Sequence, residues 1–435
     1  MSEGDRFASD EGRTHWLRHA CEWSFLGAKP KRLGVAVSGG SDSMALLDLM
    51  AWHCAEKGIE IFAVTVDHGL RAEAKDEIAL VAKYCAKRGV PHSVLRWEWD
   101  GQGNLQGKAR KARYALISAW AERKGVDVVA LGHTQDDQAE TVLMRLARQS
   151  GVDGLAGMSR RFERNGLVWI RPFLFGLERS DLQDYLTSQG ILWCSDPTNE
   201  DDSFERIRAR RAMAALSEIG IDSETLWMVA SNADAARSAL DHYAWREVAE
   251  NEIVTMDHGD LIFPEHFLTP RTQVPAEVGR RILIGALKWM SGAEYPPRRS
   301  AIIGIDVGLM DADRHTVAGC LISRIKAKRR INQKLRITRE YNAVKDTTSS
   351  TDTLWDGRWV LDGPHDADLQ VRALGEAVKD CPDWRETGLP RQSLLATPAI
   401  WRGEELVAAP VAGLKNGWEA TATGRGSFAQ FLLSR

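Results

Sequence analysis

Six consecutive small and polar residues, Ser38-Gly39-Gly40-Ser41-Asp42-Ser43, lie between the apolar run LGVAV and a helical pattern. Gly39 and Gly40 let backbone approach a ligand closely, and Ser38, Ser41 and Ser43 add hydroxyl donors. A strand-loop-helix order places these groups at the positive end of a helix dipole, which suits a phosphate. No lysine follows the glycines, so the loop is not of the GxxxxGK[ST] type. A second cluster, GHTQDDQAET from Gly132 to Thr141, gathers His133, Asp136, Asp137 and Glu140 ahead of an apolar stripe at Val142, Leu143 and Leu146. Acidic residues in a first helical turn serve as ordinary caps. The same carboxylates can also hold Mg²⁺, or a cationic substrate, beside a phosphate. One local histidine argues against a structural metal. A third polar pair, Asp67 and His68, closes the run IEIFAVTV.

These clusters need elements to hold them. From Leu33 the chain predicts a strand, a turn and a helix ending at Gly58, then a strand over 59–66 and a helix over 77–88. A strand follows near 92–97, a helix over 108–124 and a buried strand over 126–131. Alternating strands and helices specify a doubly wound parallel sheet, which binds ligands beyond the carboxyl ends of its strands. All three polar clusters fall at such ends. After about residue 215 the patterns turn helical, as at 223–251 and 275–290. The Ser/Thr-rich stretch Lys345–Thr353 predicts a hinge, and short apolar runs beyond it predict a small β-containing lobe. The expected division is therefore 1–215 catalytic, 216–345 mainly helical and 346–435 a C-terminal lobe.

At 435 residues the chain exceeds one ordinary core. Its 44% hydrophobic and 27% charged residues are those of a globular protein with a sizeable core. A polar N-terminus and the lack of any long apolar run predict a cytoplasmic protein with no membrane partner. The six cysteines form no CxxC pair, which leaves reduced thiols as the expectation. With a net charge of −3, any nucleic-acid surface must be local. Two basic stretches qualify, Arg206, Arg208, Arg210 and Arg211, and the run from Arg324 to Arg339 with eight basic residues. Either could instead be a solvated face.

The SGGSDS loop resembles the pyrophosphate-binding PP-loop of the ATP-pyrophosphatase superfamily, whose members split ATP between its α and β phosphates. The GHTQDDQAET block resembles the signature of the tRNA(Ile)-lysidine synthetases within it. Further matches follow in family order: Val66 to Arg71, Asn104 with Ala109-Arg110 and Arg113-Tyr114, Gly154 to Met158 and Arg171-Pro172-Phe173. Then come Arg179 with Asp181, Tyr185-Leu186, Gly190-Ile191, Trp193 and Asp196 to Asn199 with Asp201. The resemblance covers about Leu33 to Arg211. It departs from the family at Phe204-Glu205-Arg206-Ile207-Arg208, where an Arg-Asn pair often stands just before the Ile-Arg step, and it is loose in the C-terminal third.

The resemblance implies a ligase that adenylates the wobble cytidine of isoleucine tRNA with a CAU anticodon and replaces AMP with free L-lysine. On that basis ATP and Mg²⁺ are expected. Ser38 to Ser43 with Asp67 and His68 would bind ATP, Asp42 and Asp136 would hold the metal, and Asp42, His133 and Asp137 would be catalytic. Arg113, Asp137 and Glu140 would take lysine, while Arg206, Arg208, Arg211, Lys328, Arg329 and Arg330 would hold tRNA phosphates. The oligomeric state is left open. The alternative is another PP-loop enzyme that modifies tRNA with ATP.

Overall fold

Helix Asp10–Trp23 (α1) precedes a regular alternation: strand Arg32–Ala36 (β1), helix Ser41–Lys57 (α2), strand Glu60–Asp67 (β2) and helix Ala74–Arg88 (α3). Strand His92–Arg96 (β3), helix Leu105–Lys124 (α4), strand Val128–Ala130 (β4) and helix Gln135–Ala147 (α5) continue it. A short helix Val152–Leu155 (α6) leads to a hairpin, Arg161–Arg164 (β5) and Leu167–Ile170 (β6). Helices Arg179–Ser188 (α7), Glu205–Ser217 (α8) and Ser223–Glu250 (α9) follow. This computed structural model describes residues 10–25, 30–69, 74–99, 101, 105–174, 176–194, 205–250, 255–264, 276–325, 334–422 and 425–433. They fall into two units, Met1–Arg237 and Ser238–Arg435, divided within α9.

The sheet of the first unit runs β3-β2-β1-β4-β6-β5. All its pairings are parallel except the β5–β6 hairpin. Both faces are covered, so its central strands are apolar throughout. On one face Leu33, Val35 and Val37 pack with Met44, Leu47, Val81 and Leu182 from α2, α3 and α7. On the other, Val64, Val129 and Leu131 pack with Ile117 and Trp120 of α4. Strand order reverses at β1, with β2 on one side and β4 on the other. This makes the crevice above β1 and β4 the switch point where ligands bind such sheets.

Helix α2 is fixed to its neighbours by a buried carboxylate. Asp48 is 4% exposed and accepts the hydroxyls of Tyr84 on α3 and Tyr185 on α7, each at 2.5 Å, and a further bond from Arg88. Burial, then the adjacent Asp48, pushes both phenols above their ordinary pKa, so both stay protonated donors.

The second unit carries strands Thr255–Asp257 (β7) and Asp260–Pro264 (β8), helices Ala276–Ser291 (α10) and Arg299–Asp311 (α11), and strands Arg314–Val317 (β9), Cys320–Ile325 (β10) and Lys334–Arg339 (β11). The strands form an antiparallel sheet, β7-β8-β11-β10-β9, where the sequence predicts mainly helix. The remainder holds two smaller sheets around a core of Trp355, Trp359, Val371, Ile400 and Trp418. The expected hinge at 345–353 is packed instead: Ser349 and Ser350 pair with Val371 and Gln370, and Thr351 is buried. The basic run is likewise partly internal, since Arg336 pairs with buried Asp260 at 2.7 Å and Arg339 with Asp356 at 3.1 Å. Among the described residues no helix is long and apolar enough to cross a membrane. All six cysteines are unpaired, as expected.

Candidate active site

The loop after β1 is braced from within. Ser43 Oγ accepts from Ser38 N at 3.1 Å and donates to Gly40 O at 3.0 Å, and Ser41 Oγ donates to Asp42 Oδ1 at 2.8 Å. Gly39 adopts φ +92°, a left-handed conformation that an L side chain resists. Its carbonyl accepts from Cys194 N at 2.9 Å. From the neighbouring strand β4, Gly132 crosses the first turn of α2 so closely that an added Cβ would lie 3.0 Å from the Asp42 backbone. A glycine there brings His133 and the acidic corner beside the loop.

That corner is a helix start. Thr134 caps α5 in a capping box in which Asp137 Oδ2 accepts from Thr134 N at 3.0 Å. The capping reading of Asp137 therefore holds, but only for one oxygen. Its Oδ1 lies 3.8 Å from Arg179 and 3.9 Å from Arg206. Asp136 Oδ2 accepts from Arg179 N at 2.8 Å, and Asp42 Oδ2 accepts from Arg179 Nε at 3.1 Å. Glu140 accepts from Arg210 Nε at 2.9 Å, with Arg206 at 3.8 Å from its other oxygen.

Burial raises the pKa of Asp42, opposed by Arg179 and Ser41. Burial likewise raises that of Glu140, opposed by Arg210. Burial also works against the charge of Arg179, yet Asp42 and Asp137 outweigh it and hold its pKa above the ordinary value. His133, next to the Thr134 cap, has a buried Nδ1 without a hydrogen-bond partner. Burial, then Arg171, Arg206, Arg110 and Arg113, depress its pKa well below 6.5, so the imidazole is neutral at pH 7.

A cavity of about 380 Å³ is lined by Asp42, Arg179, Arg210 and His133 of these groups, with Asp136, Asp137 and Glu140 outside the lining. Ser38, Gly40, Ser41, Asp42 and Ser43 form its floor, with Arg113, His133, Arg179 and Arg210 on the walls. Ala36, Val64, Val66, Ile117 and Leu131 give it an apolar side at the strand ends, and Gln183, Trp193 and Cys194 close it. Asp67 and His68 stand just beyond Val66, outside this lining. Asp67 accepts from Gly69 N at 2.9 Å, and His68 packs edge-on to Trp97.

The structure thus brings the loop, His133 and Arg113 into one cavity and ties the acidic corner to it through Arg179 and Arg210. Sequence reasoning assigned no role to Arg179, although it lies in a matched stretch, and placed Arg210 only in a basic stretch offered to nucleic acid, whereas it pairs with Glu140. Arg206, expected on RNA, faces Asp137 and Glu140, while Arg208 and Arg211 are exposed. Lys328, Arg329 and Arg330 lie outside the described residues, as do Asn104, Asp196 to Asn199 and Asp201. Among the described residues no group of three or more His, Cys, Asp or Glu could hold a metal ion.

A parallel sheet with a phosphate-type loop at its switch point defines a nucleotide-binding α/β enzyme domain, and residues 16–216 match the family model described as a PP-loop domain. The tRNA(Ile)-lysidine synthase of Ruegeria pomeroyi is 48% identical over 415 residues, covering 94% of this chain and 96% of that one. That of Wolbachia pipientis wMel is 34% identical over 338 residues, covering 75% and 76%. Among solved structures, the U34-tRNA thiolase NcsA of Methanococcus maripaludis overlays with a TM-score of 0.45 at 15% identity, covering 52% of this chain and 79% of that one. The chain belongs to the tRNA(Ile)-lysidine synthase family.

Proposed function

We propose that the chain is an ATP-dependent carbon-nitrogen ligase that adenylates the wobble cytidine of isoleucine tRNA with a CAU anticodon and then joins free L-lysine to it. The observation that carries this reading is the cavity in which the Ser38–Ser43 loop meets His133, with the acidic corner tied to its wall through Arg179 and Arg210. Adenylation needs the cytidine C2 oxygen to attack the α-phosphorus while the α–β bond breaks. The loop donors and the start of α2 stabilise charge growing on the departing pyrophosphate. Asp67 and His68 stand at the adenosine side.

Magnesium fits the donors present, which are carboxylate oxygens rather than a closed cage. Mg²⁺ typically binds through one or two carboxylates plus phosphates. Asp42 and Asp136 would hold it, and it would neutralise phosphate charge.

In the second step the lysine ε-amine attacks C2, the C2–O bond to AMP breaks, and the amine sheds a proton. Asp137 and Glu140 receive the ammonium in place of their arginine partners, and Arg113 takes the lysine carboxylate through its planar fork. Glu140, made more basic by burial, accepts the proton. Neutral His133 passes it on or hydrogen-bonds a phosphate. Arg208 and Arg211, with Lys328, Arg329 and Arg330, hold RNA phosphates, whereas Arg206 faces Asp137 and Glu140.

The test is to incubate the protein with ATP, labelled lysine and total tRNA. Label should enter one isoleucine tRNA species with release of AMP and pyrophosphate. Label spread over many tRNAs, or none, would sink the reading.

A further inference from the structure

We propose that Arg210 masks the lysine subsite at Glu140 until a nucleotide polyphosphate draws it away, so that ATP binding opens the site to lysine. The inference rests on the reading above that ATP and lysine are the substrates, and adds to it a specificity-determining residue and an order of binding.

Arg206 and Arg210 lie four residues apart on one face of α8. Met213, one turn further along that face, packs against Ala139 and Val142 of α5, and Arg148, just past the end of α5, pairs with Glu205 at the start of α8. Between these anchors Arg210 Nε donates to Glu140 Oε1 at 2.9 Å, while Arg206 stays 3.8 Å from Oε2. Glu140 is 2% exposed, and its Oε2 is buried without a hydrogen-bond partner. A buried carboxylate needs a cation beside it in every state, because removing its partner leaves an uncompensated charge. Arg210 meets that need through one nitrogen and leaves one oxygen unserved. An ammonium, with three donors, can serve both.

The charges are already balanced. Asp42, Asp137 and Glu140 face Arg179, Arg206 and Arg210, three carboxylates against three guanidinium groups. Lysine arriving alone would give this half-buried cluster an excess positive charge, whereas ATP arriving first supplies an anion for a freed guanidinium. Arg210 is the member placed to make that exchange. It lines the cavity together with Ser38, Gly40, Ser41 and Ser43, while Glu140 and Arg206 do not. Its side chain is 39% exposed, which leaves it room to turn. Arg179 also lines the cavity, but it pairs with Asp42 and Asp137 rather than with Glu140. A planar fork held to a carboxylate through one nitrogen gains a second hydrogen bond on moving to a phosphate.

The experiment measures L-lysine binding to the full chain by calorimetry, alone, with saturating α,β-methylene ATP and Mg²⁺, and with adenosine. In wild type the analogue should tighten lysine binding by about tenfold or more, and lysine should tighten the analogue by the same factor. Adenosine has no phosphate to receive Arg210 and should leave lysine binding unchanged. R210Q should bind lysine without nucleotide about as tightly as wild type does with the analogue, and the analogue should then add less than about twofold. R210K should keep part of the coupling, because the charge stays while the fork is lost. R148Q, which removes equal charge from the exposed pair with Glu205, should couple as wild type does. Melting curves give a second readout, since lysine alone should raise the Tm of R210Q more than that of wild type. No tightening by the analogue in wild type, full coupling in R210Q, tightening by adenosine, or an equal loss of coupling in R148Q would overturn the mask. Wild type that binds lysine under none of these conditions would instead defeat the functional reading beneath it, and the mask with it.

Discussion

The acidic and the basic groups in and around the cavity are satisfied differently. Asp42 in its lining, and Asp136, Asp137 and Glu140 behind it, are each hydrogen-bonded or ion-paired to Arg179, Arg206 or Arg210. Arg113 in the lining has no carboxylate partner among the described residues, and His133 has a buried, unpartnered nitrogen. A cation entering on the acidic side must exchange with an arginine already there. An anion entering at Arg113 meets no carboxylate to displace. The first arrangement favours discrimination and the second favours affinity.

The largest effect should come from Asp42→Asn, which breaks the acidic set where it meets the loop. AMP formation at saturating ATP should fall by about 10²-fold or more. The fold should survive. Burial raises the Asp42 pKa above its usual 3.8, so its charged form is disfavoured in the folded state and stability is lost as pH rises through that raised pKa. A neutral isostere should therefore melt no lower at pH 7. Wild-type turnover would remove Asp42 from the mechanism.

Asp137→Asn should act next, raising KM for lysine by about 10- to 150-fold, the equivalent of losing about 1.5 to 3 kcal/mol from a charged hydrogen bond. Its effect on KM for ATP should be smaller. Asparagine still accepts from Thr134 N, so the cost to the α5 cap should stay below about 1 kcal/mol. A melting shift without a kinetic one would leave Asp137 a cap alone.

The basic side can be sharpened with pH. The folded state holds His133 well below 6.5, so stability present above that value is lost as pH falls below it. His133→Gln should flatten the fall in melting temperature between about pH 6.5 and 5. An unchanged profile would place the low-pH loss on other groups.

The smallest effect should come from the outer face of α8. Replacing Arg208 and Arg211 by glutamine should flatten the salt dependence of tRNA binding by about 0.7 to 0.9 per contact and leave KM for lysine unchanged. Arg206→Gln, which faces Asp137 and Glu140, should move KM for lysine. If Arg208 and Arg211 changed that constant as well, the two faces of α8 would not be distinct.

The strand-loop-helix order, the acidic corner and the parallel sheet were legible because each is local. Apolar runs of strand length end in polar clusters, and the sheet topology then brings the clusters together. Arg179 was not legible as a partner of Asp42, because 137 residues separate them and only the packing of α7 on α2 joins them. The sheet after residue 250 was hidden for another reason. In β11, Leu335, Arg336, Ile337 and Thr338 are all buried, so the alternation that marks a strand is lost and its cations read as surface. Internal partners such as Asp260 lie too far along the chain to be anticipated.

Helices α2 and α7 touch through two bonds in the same register, Asp42 to Arg179 and Asp48 to Tyr185. The lower bond is buried and bears on neither substrate, but it stops α7 from sliding along α2. Arg179 is thus left only the rotation of its own side chain. Exchange of its guanidinium between Asp42 and an arriving anion would then be a rotamer hop, a far faster class of motion than the micro- to millisecond shifts of helices and lids. Rearrangement around Arg179 would consequently need no movement of either helix.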